Sequence, residues 1–110
     1  MPYIPPKHRQ ELDGLLDELT ARLAAEAKEY DDDGAFAGLL NYAVTRLALG
    51  VVRRQFGPLR YWHIAALTGM FKNVADEFYR RLAAPYEDRQ RARNGDLDLF
   101  REYLEEMEQG

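Results

Sequence analysis

Residues 35–56 read AFAGLLNYAVTRLALGVVRRQF, and this stretch decides the fold. Its apolar side chains occupy most of the circumference of a helix, and it contains no acidic residue. A run of this kind is typical of a helix that is covered on most sides by other helices. We therefore predict that residues 35–56 form the central and most buried helix of the chain.

Helical periodicity continues on both sides of this stretch. Residues 7–29 repeat leucine at spacings of three and four, and residues 59–84 place Phe71 and Phe78 on one apolar stripe. A last helix is predicted near residues 97–107, while Pro85 either kinks the third helix or begins a further one. No stretch alternates in the manner of a strand. We expect an all-α fold, a compact helical bundle of about four to five helices with both phenylalanines in its core.

The length and composition favour one domain. The chain has 110 residues, of which 46% are hydrophobic and 31% charged, the ordinary balance of a globular protein. We expect a single helical domain over residues 1–110, with residues 1–6 as an N-terminal arm because they contain three prolines. A domain of this size buries about two thirds of the surface that its unfolded chain exposes.

Composition also disfavours several classes of function. The chain has no cysteine and no serine, which removes disulfides, thiolate metal sites and the usual nucleophiles of hydrolases. Its net charge of -4 disfavours nonspecific nucleic-acid binding. The longest apolar run, residues 47–52, is far shorter than the roughly 20 residues that cross a bilayer, and no signal-type apolar region follows Met1. We expect a cytoplasmic protein with no membrane partner.

Paired carboxylates raise one enzymatic alternative. All-α nucleotide pyrophosphohydrolases of the MazG type hold Mg²⁺ with carboxylates three or four residues apart on facing helices. Asp13 and Asp17 have this spacing, as do Glu102 and Glu105, but residues 35–56 offer no acidic partner. We therefore predict no catalytic residues, no metal site and no cofactor, and a MazG-like hydrolase is the third hypothesis for the function.

Two clusters combine aromatic side chains with cations. Tyr61 and Trp62 begin the third helix, where they either pack in the core or form an interface with a partner protein. The second cluster lies at residues 77–88, where Arg80 and Arg81 are suited to binding a phosphate and Tyr86 to stacking on a base. Ion pairs of Asp76 with Arg80 and of Glu77 with Arg81 explain these arginines equally well. The candidate ligand-binding residues are Asn41, Tyr42, Arg46, Glu77, Arg80, Arg81 and Tyr86.

Several short motifs occur together in this chain: MPYI at residues 1–4, NY at 41–42, TR at 45–46, EFYRR at 77–81, APYED at 84–88 and NGD at 94–96. In this combination the chain resembles a family of short uncharacterised proteins of phages and bacteria. Small helical phage proteins of other families oligomerise and sequester nucleotide signals, which is an analogy at the level of the fold. We expect, first, a noncatalytic homo-oligomeric protein that binds a small anionic or nucleotide-like ligand, and second, a protein-binding adaptor or inhibitor.

Overall fold

The computed structural model describes residues 1–110, and all of its regular structure is helical. The helices are α1 (Pro6–Lys28), α2 (Ala35–Phe56), α3 (Tyr61–Phe78), α4 (Ala84–Asn94) and α5 (Asp98–Gln109). The prediction of an all-α fold is confirmed. The chain divides into two compact units, Met1–Met70 and Phe71–Gly110.

In the first unit, α1 and α2 pack against each other as a helical hairpin. The half-buried side chains of these helices include Leu19 and Leu23 of α1 and Leu39 and Ala43 of α2. The turn is closed by Asp32, whose carboxylate Oδ1 accepts the backbone N–H of Gly34 at 2.9 Å. The N-terminus of α2 has no side-chain cap. Asp32 therefore stabilises the turn instead of the helix end.

The first unit also contains the corner between α2 and α3. Gly57 ends α2 with φ 84° and ψ -109°, and its N–H donates to the carbonyl oxygen of Arg53 at 3.1 Å. Residues with a Cβ rarely adopt this backbone conformation, so glycine allows the chain to turn here. Pro58 follows and prevents the helix from continuing.

In the second unit, a π turn, Tyr79–Ala83, joins α3 to α4. The turn lies just before Pro85, which has no N–H to donate to the carbonyl oxygen of Arg81 and whose ring crowds that oxygen in a regular helix. A wider turn relieves this conflict, and the N–H of Ala84 donates to the carbonyl oxygen of Tyr79, five residues back. The helix thus passes through Pro85.

Only two side chains of the chain are buried, Val52 and His63. The accessible surface is 10117 Å², whereas a folded monomer of 12.8 kDa exposes about 6,300 Å². Phe71 and Phe78, predicted in the core, are 38% and 60% exposed, and α2 buries only Val52. The prediction of a compact core is therefore wrong for a single chain, because the helices leave most of their apolar side chains in water. Among the helices, α2 nevertheless carries the most buried and half-buried residues, as predicted.

By length and composition alone, α2 is also apolar enough to cross a membrane. The core helix of a soluble protein meets the same criterion, so the finding is weak by itself. The apolar run at residues 47–52 is too short to indicate this, because Asn41, Thr45 and Arg46 interrupt the apolar sequence of α2 without making the whole helix polar.

Candidate functional site

One side of α2 carries an exposed apolar stripe. Phe36, Leu40, Leu47 and Val51 form this α2 stripe, and their spacings of four, seven and four place them within about 60° of the helix circumference. Each of them is about half exposed. The stripe borders an apolar groove of about 280 Å³ between α2 and α3, lined by Val44, Leu47, Ala48, Val51, Val52, Leu67 and Met70.

A second groove of about 310 Å³ lies at the turn between α1 and α2. It is more polar than the first and is lined by Ala27, Lys28, Tyr30, Asp32, Asp33 and Phe36. Phe36 belongs both to this groove and to the α2 stripe. The acidic turn therefore adjoins one end of the stripe.

Three rings pack together at the corner between α2 and α3. The ring centroids of Trp62 and His63 are 3.9 Å apart, and Phe56 lies 5.1 Å from Trp62 and 4.7 Å from His63. Trp62, predicted at a partner interface, thus also holds the corner. Tyr61 is 82% exposed and is available to a partner. Sequence reasoning missed Phe56, although an aromatic residue directly before Gly57 and Pro58 is the signal that points to such a corner.

His63 stabilises the start of α3 through its side chain. Its Nδ1 accepts the backbone N–H of Arg60 at 2.9 Å, as glutamate or glutamine does at the same position of a capping box. Since Nδ1 accepts, the neutral ring carries its hydrogen on Nε2. Nε2 is buried and has no hydrogen-bond partner.

The candidate ligand residues of the first unit lie outside the α2 stripe. Asn41, Tyr42 and Arg46 are exposed, and Tyr42 and Arg46 are one helical turn apart. The hydroxyl of Thr45 donates to Asn41 Oδ1 at 3.2 Å, which orients the amide. These residues form an exposed polar face of α2.

The other candidate ligand residues lie in the second unit. Arg80 donates two hydrogen bonds to Glu77, from Nε to Oε1 at 2.9 Å and from Nη2 to Oε2 at 3.1 Å. The ion pair of Glu77 therefore spans three residues, whereas the sequence predicted a pair with Arg81. Both arginines lie in the π turn, and Arg81 and Tyr86 are exposed. The predicted ligand residues thus form two groups, one in each unit.

The structure gathers no three His, Asp or Glu side chains that could hold a metal ion.

Comparison with known proteins gives a family but no activity. The model of a domain of unknown function, DUF6899, matches residues 1–97, which supports the predicted resemblance to an uncharacterised family. The match includes α1 to α4 and ends before α5. No curated protein and no solved structure shows significant similarity to the chain.

Proposed function

The chain belongs to the DUF6899 family, and we propose that it is a noncatalytic helical binding protein that works in association with other protein chains. The observation that carries this proposal is the exposed surface. It exceeds that of a typical folded monomer of the same mass by about 3,800 Å². A surplus of this size, in a chain with two buried side chains, favours a protein that completes its core with a partner.

The size of the surplus favours an extensive association. A standard interface removes about 800 Å² from each partner, and obligate complexes bury about 2,000 to 5,000 Å² in total. The exposed side chains are also of the kind found in obligate interfaces, since they include Phe36 and Leu40 of α2 and Phe71 and Phe78 of α3. A phosphate-bearing ligand would not cover these apolar surfaces.

A photoreactive amino acid placed at Tyr61 or at Phe78 tests the proposal in living cells. Both positions are exposed and apolar, so irradiation is expected to yield covalent adducts to protein, identified by mass spectrometry. Ala21 is the matched control, because it is exposed on α1 opposite Leu19. Equal adduct yields at all three positions would contradict the proposal.

Binding of a small anion at the π turn is a second candidate function. The observation that favours it is the pair of arginines that the wider turn carries, Arg80 and Arg81, with Tyr86 three residues beyond the turn. Guanidinium groups bind phosphate oxygens through paired hydrogen bonds, and a tyrosine ring can stack on a base.

Calorimetric titration with cyclic di- and trinucleotides and with ADP-ribose tests this second function. Replacing Arg81 with alanine is expected to weaken binding by about 2 to 5 kcal/mol, because a desolvated phosphate loses its cation. The variant Arg22→Ala, on the exposed side of α1, is expected to bind as the wild type does. The absence of heat from the wild type with every ligand would exclude these nucleotides.

A further inference from the structure

We propose that a second copy of this chain covers the α2 stripe, with the two α2 helices antiparallel about a two-fold axis that passes between Ala43 and Val44. This inference rests on the proposed function. It adds the identity of the partner, the face of the helix and the register.

The residues of the α2 stripe are placed symmetrically along the chain. In a two-fold interface, if residue i meets residue j of the second copy, residue j also meets residue i. Phe36 and Val51 are placed symmetrically about the point between residues 43 and 44, and so are Leu40 and Leu47. An antiparallel pair therefore sets Phe36 against Val51 and Leu40 against Leu47, twice each. Ala43, small and near the axis, allows the helices to approach closely.

Charge extends the same symmetry beyond the apolar residues. Asp33 and Arg54 are symmetric about the same point, and Arg54 lies on the side of the helix that carries the α2 stripe. The antiparallel register thus brings Arg54 of each copy to the acidic turn of the other, residues 31–33. A parallel pair would instead set arginine beside arginine and aspartate beside aspartate, which repels.

The two grooves have the polarities that this register requires. Leu47 and Val51 line the apolar groove, and the residues set against them are Leu40 and Phe36 of the second copy. Asp32 and Asp33 line the polar groove, and Arg54 of the second copy is set against it. Apolar side chains thus meet the apolar groove, and a guanidinium group meets the carboxylates.

The charges of α2 favour a second copy over a membrane. The surplus of about 3,800 Å² belongs to the whole chain and is larger than the about 800 Å² that a standard dimer removes from each partner, so an interface at α2 accounts for part of it. Arg46 stands near the middle of α2, where a lipid-crossing helix incurs about 2.5 to 3.5 kcal/mol for a cation. A bilayer also gives no reason for an acidic group at one end of the stripe and a basic group at the other.

Engineered cysteines test the register, since the chain has none of its own. Under mild oxidation, an equimolar mixture of Leu40→Cys and Leu47→Cys is expected to form a disulfide-linked dimer, because both residues are exposed and the register sets one against the other. Phe36→Cys alone is expected to remain unlinked, because its two copies lie about 22 Å apart along the helix axis. Efficient linkage of Phe36→Cys to itself, or none between residues 40 and 47, would overturn the antiparallel register.

Complementary charges test the pairing of Leu40 with Leu47. Sedimentation equilibrium should give the wild type twice the 12.8 kDa mass of one chain. Leu40→Glu and Leu47→Lys should each raise the dissociation constant of the dimer at least tenfold. An equimolar mixture of the two should regain the dimer mass, because glutamate then meets lysine. Tyr42→Glu, outside the α2 stripe, should dimerise as the wild type does.

The outcomes separate this inference from the proposed function. A monomeric wild type that forms adducts to a different protein at Tyr61 would overturn the second copy and leave the binding function in place. A monomeric wild type without any protein adduct would overturn both. Flotation of a monomeric wild type with phosphatidylglycerol vesicles would assign the α2 stripe to lipid. If the mixture of Leu40→Glu and Leu47→Lys stays monomeric, the pairing of Leu40 with Leu47 is overturned.

Discussion

His63 shows how one side chain can hold two helices in place. Its ring packs on Phe56 from α2 and on Trp62 from α3, and its Nδ1 accepts the N–H of Arg60 just before α3 begins. His63 lies in the first turn of α3, and its sequence neighbours alone give no reason to expect its burial. Burial depends on Phe56, which becomes a neighbour only because Gly57 turns the chain.

We expect His63→Ala to destabilise the chain by about 2 to 4 kcal/mol, since it removes both the ring packing and the acceptor for the Arg60 N–H. His63→Gln should lose less, because glutamine retains an acceptor suited to this position. Urea denaturation at one fixed chain concentration measures both. The exposed His8→Ala is the control, and equal losses for alanine and glutamine would contradict the capping interaction.

Gly57 allows a second prediction at the scale of one residue. Gly57→Ala should destabilise by about 1 to 3 kcal/mol, because its φ of 84° is strained for any residue with a Cβ. No atom lies within 4 Å of the added Cβ, so the loss is conformational and not steric crowding. Gly14→Ala, within α1, should stabilise by about 0.5 to 1 kcal/mol in the same denaturation experiment. If Gly57→Ala leaves the free energy of unfolding unchanged, the corner between α2 and α3 relaxes to accommodate the Cβ.

At the scale of elements, the π turn is explained by one residue. Pro85→Ala restores a donor for the carbonyl oxygen of Arg81 and removes the ring that crowds it. We expect a gain of about 1 to 3 kcal/mol and a regular α-helical turn in place of the π turn. Hydrogen exchange should then detect a protected amide at residue 85. Pro2→Ala in the N-terminal arm should have no effect, and a destabilised Pro85→Ala would mean that other contacts hold the π turn.

The helices could be predicted from the sequence, but the surfaces that cover them could not. Breaks at residues 31–34, at Gly57 and at Gly95 are local signals, and they mark the ends of α1, α2 and α4. The period of α3 likewise shows that Phe71 and Phe78 share a face. Periodicity identifies an apolar face and does not tell whether the same chain covers it. The same limit applies to the candidate ligand residues. Spacing along one helix does not tell whether Asn41 of α2 and Glu77 of α3 belong to one site.

At the scale of the whole molecule, stability should depend on chain concentration. If the apolar stripes are covered by other copies, a tenfold rise in concentration stabilises the assembly by about 1.4 kcal/mol and raises Tm by several degrees. Phe71→Ala should lower Tm at every concentration, whereas the exposed Lys72→Ala should not. Calorimetric scans over a hundredfold range of concentration measure this, and a constant Tm would contradict self-assembly.

We expect the large exposed surface to affect how long each newly made chain survives in the cell. A chain without its partner presents unprotected helices such as α2 to proteases, whereas an assembled chain does not. Because pairing depends on the square of the chain concentration, we expect weakly expressed protein to be degraded faster than strongly expressed protein. Pulse-chase labelling at two levels of synthesis should give two different half-lives. The steady-state amount of the protein would then rise more than in proportion to its rate of synthesis.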